Sequence, residues 1–208
     1  MPGMRPLSSR RPRQAALTDA VLSIVAERGL DQVSVREVAS VAGVSIGTVQ
    51  HYFPTKDDML LAAFHQVVRR IRQRIRPICA SPHVRDNLSA VLYQLLPLDE
   101  ERAAESRIVL AFAARAATSP ALATVQQSIL AEITDALAEA FSLAVGDHAT
   151  TDHCRLAAQV TLAAVDGLAL HAVSSPGWVS ASQLSTLIEF LLGALLPTTN
   201  EAGRAITS

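Results

Sequence analysis

The chain reads as an all-α protein, and three observations predict it. Half of its 208 residues are hydrophobic but only 4% are aromatic, and alanine and leucine dominate, as in helices packed on helices. Apolar residues return at intervals of three and four, and no run alternates as a half-buried strand does. Polar breaks carrying Ser, Thr, Asp, Gly or Pro divide that pattern into segments of helical length. A chain of this size can bury a real core, as one large or two small domains.

Residues 1–12 hold Arg5, Arg10 and Arg11 among prolines and serines. They read as a flexible arm, either a plain tail or a segment that gains phosphate or minor-groove contacts on binding. A first helix is predicted over Arg13–Arg28, with Leu17, Val21, Ile24 and Val25 inward and Gly29 just past its end. The next stretch, GLDQVSVREVASVAGVSIGTVQHYFPTK from Gly29 to Lys56, organises the rest. Ser34 is an N-cap, and Glu37 three residues on completes a capping box. Val35, Val38, Ala39 and Ala42 share one face, and Gly43 suits the left-handed residue that closes a helix. Ser45 caps a second short helix, Ile46–Phe53, with Val49 and Phe53 inward. Two amphipathic helices joined by Gly43-Val44-Ser45 match a helix-turn-helix, whose second helix can lie in the major groove of DNA.

Thr55 and Asp58 repeat the capping-box pattern before a fourth helix, Lys56–Arg76, which would span about 30 Å. Leu60, Phe64, Val67, Val68, Ile71 and Ile75 keep one side apolar until Pro77, while Arg69, Arg70, Arg72, Arg74 and Arg76 are expected on a solvated face. Further helices are predicted at Asp86–Leu96, Asp99–Ala117, Pro120–Ala144 (capped by Ser119, with proline at its first position), Thr151–Ser174 and Ser182–Leu196, about nine in all. The expected organisation is a helix-turn-helix DNA-binding domain over 1–54, a connecting helix over 55–76, a separate helical domain over 77–197, and a flexible tail over 198–208.

Net charge is −1, but residues 1–76 carry a balance of +6 and residues 77–208 one of −7. A basic first third attracts a polyanion that the acidic remainder repels, which assigns nucleic-acid contact to the N-terminal domain. Two cysteines, Cys79 and Cys154, form no spaced framework and fit a reducing cytoplasm. No apolar run is read as long and uncharged enough to span a bilayer, and the Arg-rich start lacks the apolar stretch of a signal peptide. A soluble cytoplasmic protein without a membrane partner is expected.

The residues Ser34, Arg36, Val38-Ala39, Ala42-Gly43-Val44-Ser45, Gly47-Thr48-Val49, Tyr52-Phe53 and Lys56 resemble the DNA-binding domain of the TetR family of bacterial regulators. The run GTVQHYFPTKDDML, in register near the N-terminus, makes the resemblance specific. Further on, SRIVLAFAARAATSPAL and AAVDGLALHAV are similar to the branch containing the choline-responsive repressor of the betaine pathway. The resemblance implies an N-terminal three-helix head, a C-terminal helical body around a small-molecule pocket, and a homodimer on a double-stranded palindromic operator. It also implies that a bound effector tilts the fourth helix and releases the DNA.

Roles carry over residue by residue. Arg36 stands where such regulators often place a groove-facing side chain, and could bind a guanine edge; the alternative is a solvated arginine paired with an acid. Gly47 and Thr48 open the recognition helix, where a missing side chain allows close backbone approach. Gln50 and His51 could read base edges, although the commoner family pattern has an aromatic residue where Gln50 stands, so the operator sequence does not transfer. His51 reads equally well as structural. Tyr52 and Lys56, the sole lysine, look like phosphate contacts. Ser34 and Ser45 are caps first, with hydroxyls that could share a phosphate.

The last two helices are the expected dimer interface, through Ala157, Thr161, Ala164 and Gly167-Leu168 on one and Leu184, Leu187, Ile188, Leu191, Leu192 and Leu195 on the other. Polar residues within apolar helices are the ligand candidates: Arg107, Arg115, Gln159, Asp166 and His171, with Trp178 nearby. Each has a structural alternative, such as an internal ion pair of Arg115 with Asp166. His148, Asp152, His153 and Cys154 look superficially like metal ligands, but adjacent helical residues diverge by about 100° and no second ligand pair has zinc spacing. No phosphate-binding glycine loop or nucleophile motif occurs, so neither catalysis nor a cofactor is expected. A ligand-responsive repressor is the main reading; a ligand-responsive activator and an all-helical carrier that no longer reads DNA are the alternatives.

Overall fold

Among the described residues every regular element is a helix. The computed structural model describes residues 10–80, 84–146 and 149–196. Its helices are α1 (Arg10–Arg28), α2 (Val35–Ala42), α3 (Ile46–Tyr52), α4 (Lys56–Ile75), α5 (Val84–Tyr93), α6 (Glu100–Ala116), α7 (Pro120–Val145), α8 (Thr151–Ser174) and α9 (Ala181–Leu195), with a 3-10 turn at Leu30–Gln32 after α1. The expected tail over 198–208 and most of the expected arm lie outside the described residues. Arg10 already belongs to α1, three residues before the predicted start. Pro12 is tolerated there because the first turn needs no intrahelical N–H donor.

Local chemistry accounts for most boundaries. The Ser34 hydroxyl accepts from the Glu37 amide at 3.2 Å, yet the expected capping box is not completed: the Glu37 carboxylate turns instead to Arg28 at the end of α1. A charge-assisted bond outcompetes the neutral amide of Ser34. At α4 the reciprocal box does form, with Thr55 accepting from the Asp58 amide and Asp58 accepting from that of Thr55. The first position of α7 is the predicted proline, but Ser119 makes no side-chain cap bond. Helix α5 stops at Tyr93 rather than Leu96, because Gln94 and Leu95 donate to carbonyls three residues back and tighten the last turn. Helix α9 starts at Ala181, one residue early, on a box made by Ser180 and Gln183.

Two cores result. One joins Leu17, Val21 and Ile24 of α1 and Val38, Val49 and Phe53 of the helix-turn-helix to α4, and continues into Ile108 and Phe112 of α6 and Leu122 of α7. The Phe64 and Phe112 rings stack with centroids 3.9 Å apart and planes 3° from parallel, so head and body share packed apolar surface. The other core lies among α5, α7, α8 and α9, around Leu92, Phe141, Leu162, Val165 and Ile188.

The arginines of α4 form the expected solvated face only in part: Arg69, Arg72 and Arg76 are exposed and Arg70 and Arg74 are half-buried, and three of the five are paired with acids on other helices. Arg70 reaches Asp19 of α1 at 3.1 Å and Arg72 reaches Glu132 of α7 at 2.6 Å. Arg74 donates to the buried Glu105 of α6 at 2.9 Å, and that bond holds its guanidinium above its ordinary pKa. Another expectation fails: α8 is long and apolar enough to cross a bilayer by length and composition. In the fold one side of it packs into the second core, with Cys154, Ala158, Leu162 and Val165 buried.

Candidate functional site

The helix-turn-helix presents a surface with cations to spare. Gly43 closes α2 at φ +64 and ψ +35, a left-handed conformation that a side chain resists, and so sets the angle at which α3 leaves. Ser45 accepts from the Thr48 amide at 3.2 Å, and their hydroxyls lie 2.9 Å apart. If Ser45 donates in that pair, the Thr48 hydroxyl keeps its own proton for a phosphate. Val49 and Phe53 are buried as predicted, whereas Gln50 and His51 are exposed and Tyr52 is half-buried. The rings of His51 and Tyr52 meet edge-on with centroids 5.2 Å apart. His51 is therefore on the outer face of α3 and not in the core.

Arg36 on α2 and Lys56 at the start of α4 are exposed. Neither has an ion-pair partner among the described residues, unlike Arg28 beside them. A Cβ built on Gly47 would meet only the Ser45 hydroxyl, at 3.9 Å. The fold therefore leaves room for a side chain there. The sequence-predicted residues Ser34, Arg36, Ser45, Gly47, Thr48, Gln50, His51, Tyr52 and Lys56 lie on α2, α3 and the first turn of α4, with Ser34 and Ser45 as the caps of α2 and α3.

The body holds a cavity of about 650 Å³ between the two cores, within the size range of drug-like ligand sites. Phe64, Ile71 and Ile75 of α4, Val109 of α6, Ile133 of α7 and Leu162 of α8 represent its largely aliphatic wall. Of the six residues expected to bind ligand, only Asp166 lines it. Arg115 pairs with Asp57 at 2.8 Å, not with Asp166. Arg107 lies 3.4 Å from the Ala26 carbonyl of α1 and 3.6 Å from Glu100. Gln159 is exposed, and His171 and Trp178 are exposed with their rings 4.8 Å apart, away from the cavity. These are structural or surface groups because a polar residue in an apolar helix can face any of several neighbours.

Asp166 has no hydrogen-bond or ion-pair partner among the described residues, and desolvation alone raises its carboxyl above the ordinary range. The residue as a whole is exposed while its carboxyl is desolvated, and the two facts agree when the accessible area faces the cleft that it lines. Gln126 on α7, which sequence reasoning missed, also borders the cavity, and its side-chain oxygen is buried without a hydrogen-bond partner. The signal was present: a glutamine among Leu122, Val125, Ile129 and Ile133. Among the described residues no group of three or more His, Cys, Asp or Glu could hold a metal ion. His148 lies outside them, and Cys154 is buried while His153 is exposed.

Nearly half of the residues expected at the dimer interface are instead buried within the chain. Ala157 and Thr161 are buried in the second core, as are Leu184, Ile188 and Leu192. The exposed apolar residues are Leu156, Val160 and Leu170 of α8 with Leu187 and Phe190 of α9. Phe190, at 77%, is the most exposed of them.

Comparison with known proteins gives a consistent result. Residues 17–63 match a family described as bacterial regulatory proteins, tetR family, and residues 84–197 match one described as BetI-type transcriptional repressor, C-terminal. The HTH-type transcriptional regulator PksA of Bacillus subtilis is 27% identical over 185 residues, 85% of this chain and 86% of its own length. BetI of Cronobacter sakazakii is 28% identical over 177 residues, 83% of either chain. A transcriptional regulator from Rhodococcus sp. Rha1 superposes with a TM-score of 0.79 at 38% identity, over 88% of this chain and 95% of that one. A regulator from Saccharomonospora viridis, solved in complex with choline, shares the fold with a TM-score of 0.78 at 17% identity, over 88% of this chain and 96% of that one.

Proposed function

The chain belongs to the TetR family of bacterial transcriptional regulators, and on that premise we propose that it is a ligand-responsive repressor, a homodimer that occupies a palindromic operator until a small molecule fills its cavity. The observation that carries this reading is the reach of α4. Its first residue is the unpaired Lys56 beside the recognition helix, and Ile71 and Ile75 near its other end line the cavity. A helix of 20 residues is a rigid rod of about 30 Å, so a ligand that shifts the cavity wall also shifts the DNA-facing end. Arg115 adds a second link, because it ties the end of α6, another cavity-lining helix, to Asp57 next to Lys56.

In the bound state Arg36 reads a base edge in the major groove, Gln50 and His51 project from the same surface, and Tyr52, Thr48 and Lys56 fix the phosphate backbone. One short recognition helix reads few base pairs, so two heads related by a two-fold axis are needed for useful specificity. The exposed apolar face of α8 and α9 supplies the dimer contact. The protein acts in the cytoplasm, where its operator lies.

The test is selection of bound sites from random duplex DNA, followed by titration of the selected duplex at several salt concentrations. A palindromic consensus and a steep salt dependence are expected. Failure to prefer any duplex at moderate ionic strength would return the protein to the carrier reading. A reporter behind the selected site then separates repression from activation.

A further inference from the structure

We propose that the effector is an amphiphile with one N–H-bearing ammonium head, seated against Asp166, and an apolar body filling the aliphatic remainder of the cavity. This rests on the reading of that cavity as the effector site. Its physical basis is the distribution of charge around the wall. Arg72 is bound to Glu132, Arg102 to Asp99, and Glu105 to Arg74; Arg76, Glu139 and Asp166 line the wall, are exposed and have no ion-pair partner among the described residues. Asp166 alone combines a place in the wall with desolvation and no described counter-charge.

A carboxylate left desolvated and unpaired costs stability, and a bound cation that donates a hydrogen bond to it recovers that cost. The buried, unsatisfied oxygen of Gln126 is a second acceptor in the same wall; against Asp166, Glu139 and this oxygen, the described lining arginines leave only Arg76 without an ion-pair partner. Quaternary ammonium ions are held instead by aromatic cages. Phe64 is the one aromatic residue among the described lining residues, and its face is already covered by Phe112. A head that donates N–H therefore suits this wall better than a quaternary one. The volume points the same way, since about 650 Å³ suits a drug-sized molecule and leaves a very small cation loose.

The test is calorimetry on the full-length dimer, without DNA, using a matched ten-carbon series: decylammonium, decyltrimethylammonium, 1-decanol and decanoate. Decylammonium is expected to bind roughly tenfold or more tightly than the other three, the affinity of one charge-assisted hydrogen bond. In Asp166→Asn that advantage should disappear while 1-decanol binding is unchanged. Decanoate or 1-decanol equalling decylammonium would overturn the proposal. So would a quaternary head binding as well as the primary one, or a preference that survives in Asp166→Asn. A parallel anisotropy titration of the selected duplex keeps the two readings apart: amine binding without DNA binding fails the repressor reading, and DNA binding without amine preference fails this one.

Discussion

The reading head and the body differ in which charges they leave without a partner. In the head, Arg36 and Lys56 stand exposed and unpaired among the described residues, while the acids next to them in sequence, Glu37 and Asp57, are tied to Arg28 and Arg115. In the body the pattern reverses. Arg74, Arg102, Arg115 and Arg155 each hold a carboxylate, and the desolvated group without a partner is the acid Asp166. Folding can satisfy an ion internally, so an ion left unsatisfied at a concave or groove-shaped surface marks the polarity of what binds there. The head waits for an anion and the body for a cation.

That contrast can be broken at its strongest pair first. Arg74→Ala leaves the buried Glu105 without its described partner, and should cost about 1–3 kcal/mol in denaturant unfolding; an unchanged midpoint would mean that the pair is not desolvated. Arg36→Ala should cost about 1–3 kcal/mol of discrimination at one base position per half-site, read by competition between single-base operator variants. Equal losses on every sequence would make Arg36 a phosphate contact. Lys56→Ala should weaken all duplexes about equally and lower the salt slope by about one.

Gly47→Ala sharpens the same comparison, because the free fold has room for the methyl group. Stability should hold or rise by up to about 1 kcal/mol, while operator affinity falls if backbone and DNA meet there. Asp166→Asn makes the smallest change and is read by melting temperature against pH. The folded protein keeps the Asp166 proton to a higher pH than the unfolded chain does, because burial raises its pKa. Wild-type stability from this group is therefore full below the ordinary carboxyl range and lost as pH rises through the raised one. The variant should match wild type in acid and melt higher at neutral pH; parallel curves at all pH values would remove the desolvated carboxylate.

Much of the head was legible because its determinants are local. A serine cap, a glycine at the turn and apolar spacing of three and four act within a few residues, so Ser34, Gly43, Ser45, Val49 and Phe53 took their expected places. The same locality exposed the outer face of α3, and with it Gln50 and His51. The body was legible as helices, with α8 predicted at both ends, but not as a site. Five of the six ligand candidates face elsewhere, and Gln126, which borders the cavity, was overlooked.

The sequence alone determined that the chain is helical, where its helices begin to within about three residues, and which face of most is apolar, since caps and periodicity are properties of neighbouring residues. Tertiary structure decided which polar group meets which. Arg115 chose Asp57 over Asp166, and three arginines of α4 found acids on α1, α6 and α7. A cavity exists only between elements, so its lining depends on how separate helices are turned against one another, and no window along the chain records that rotation.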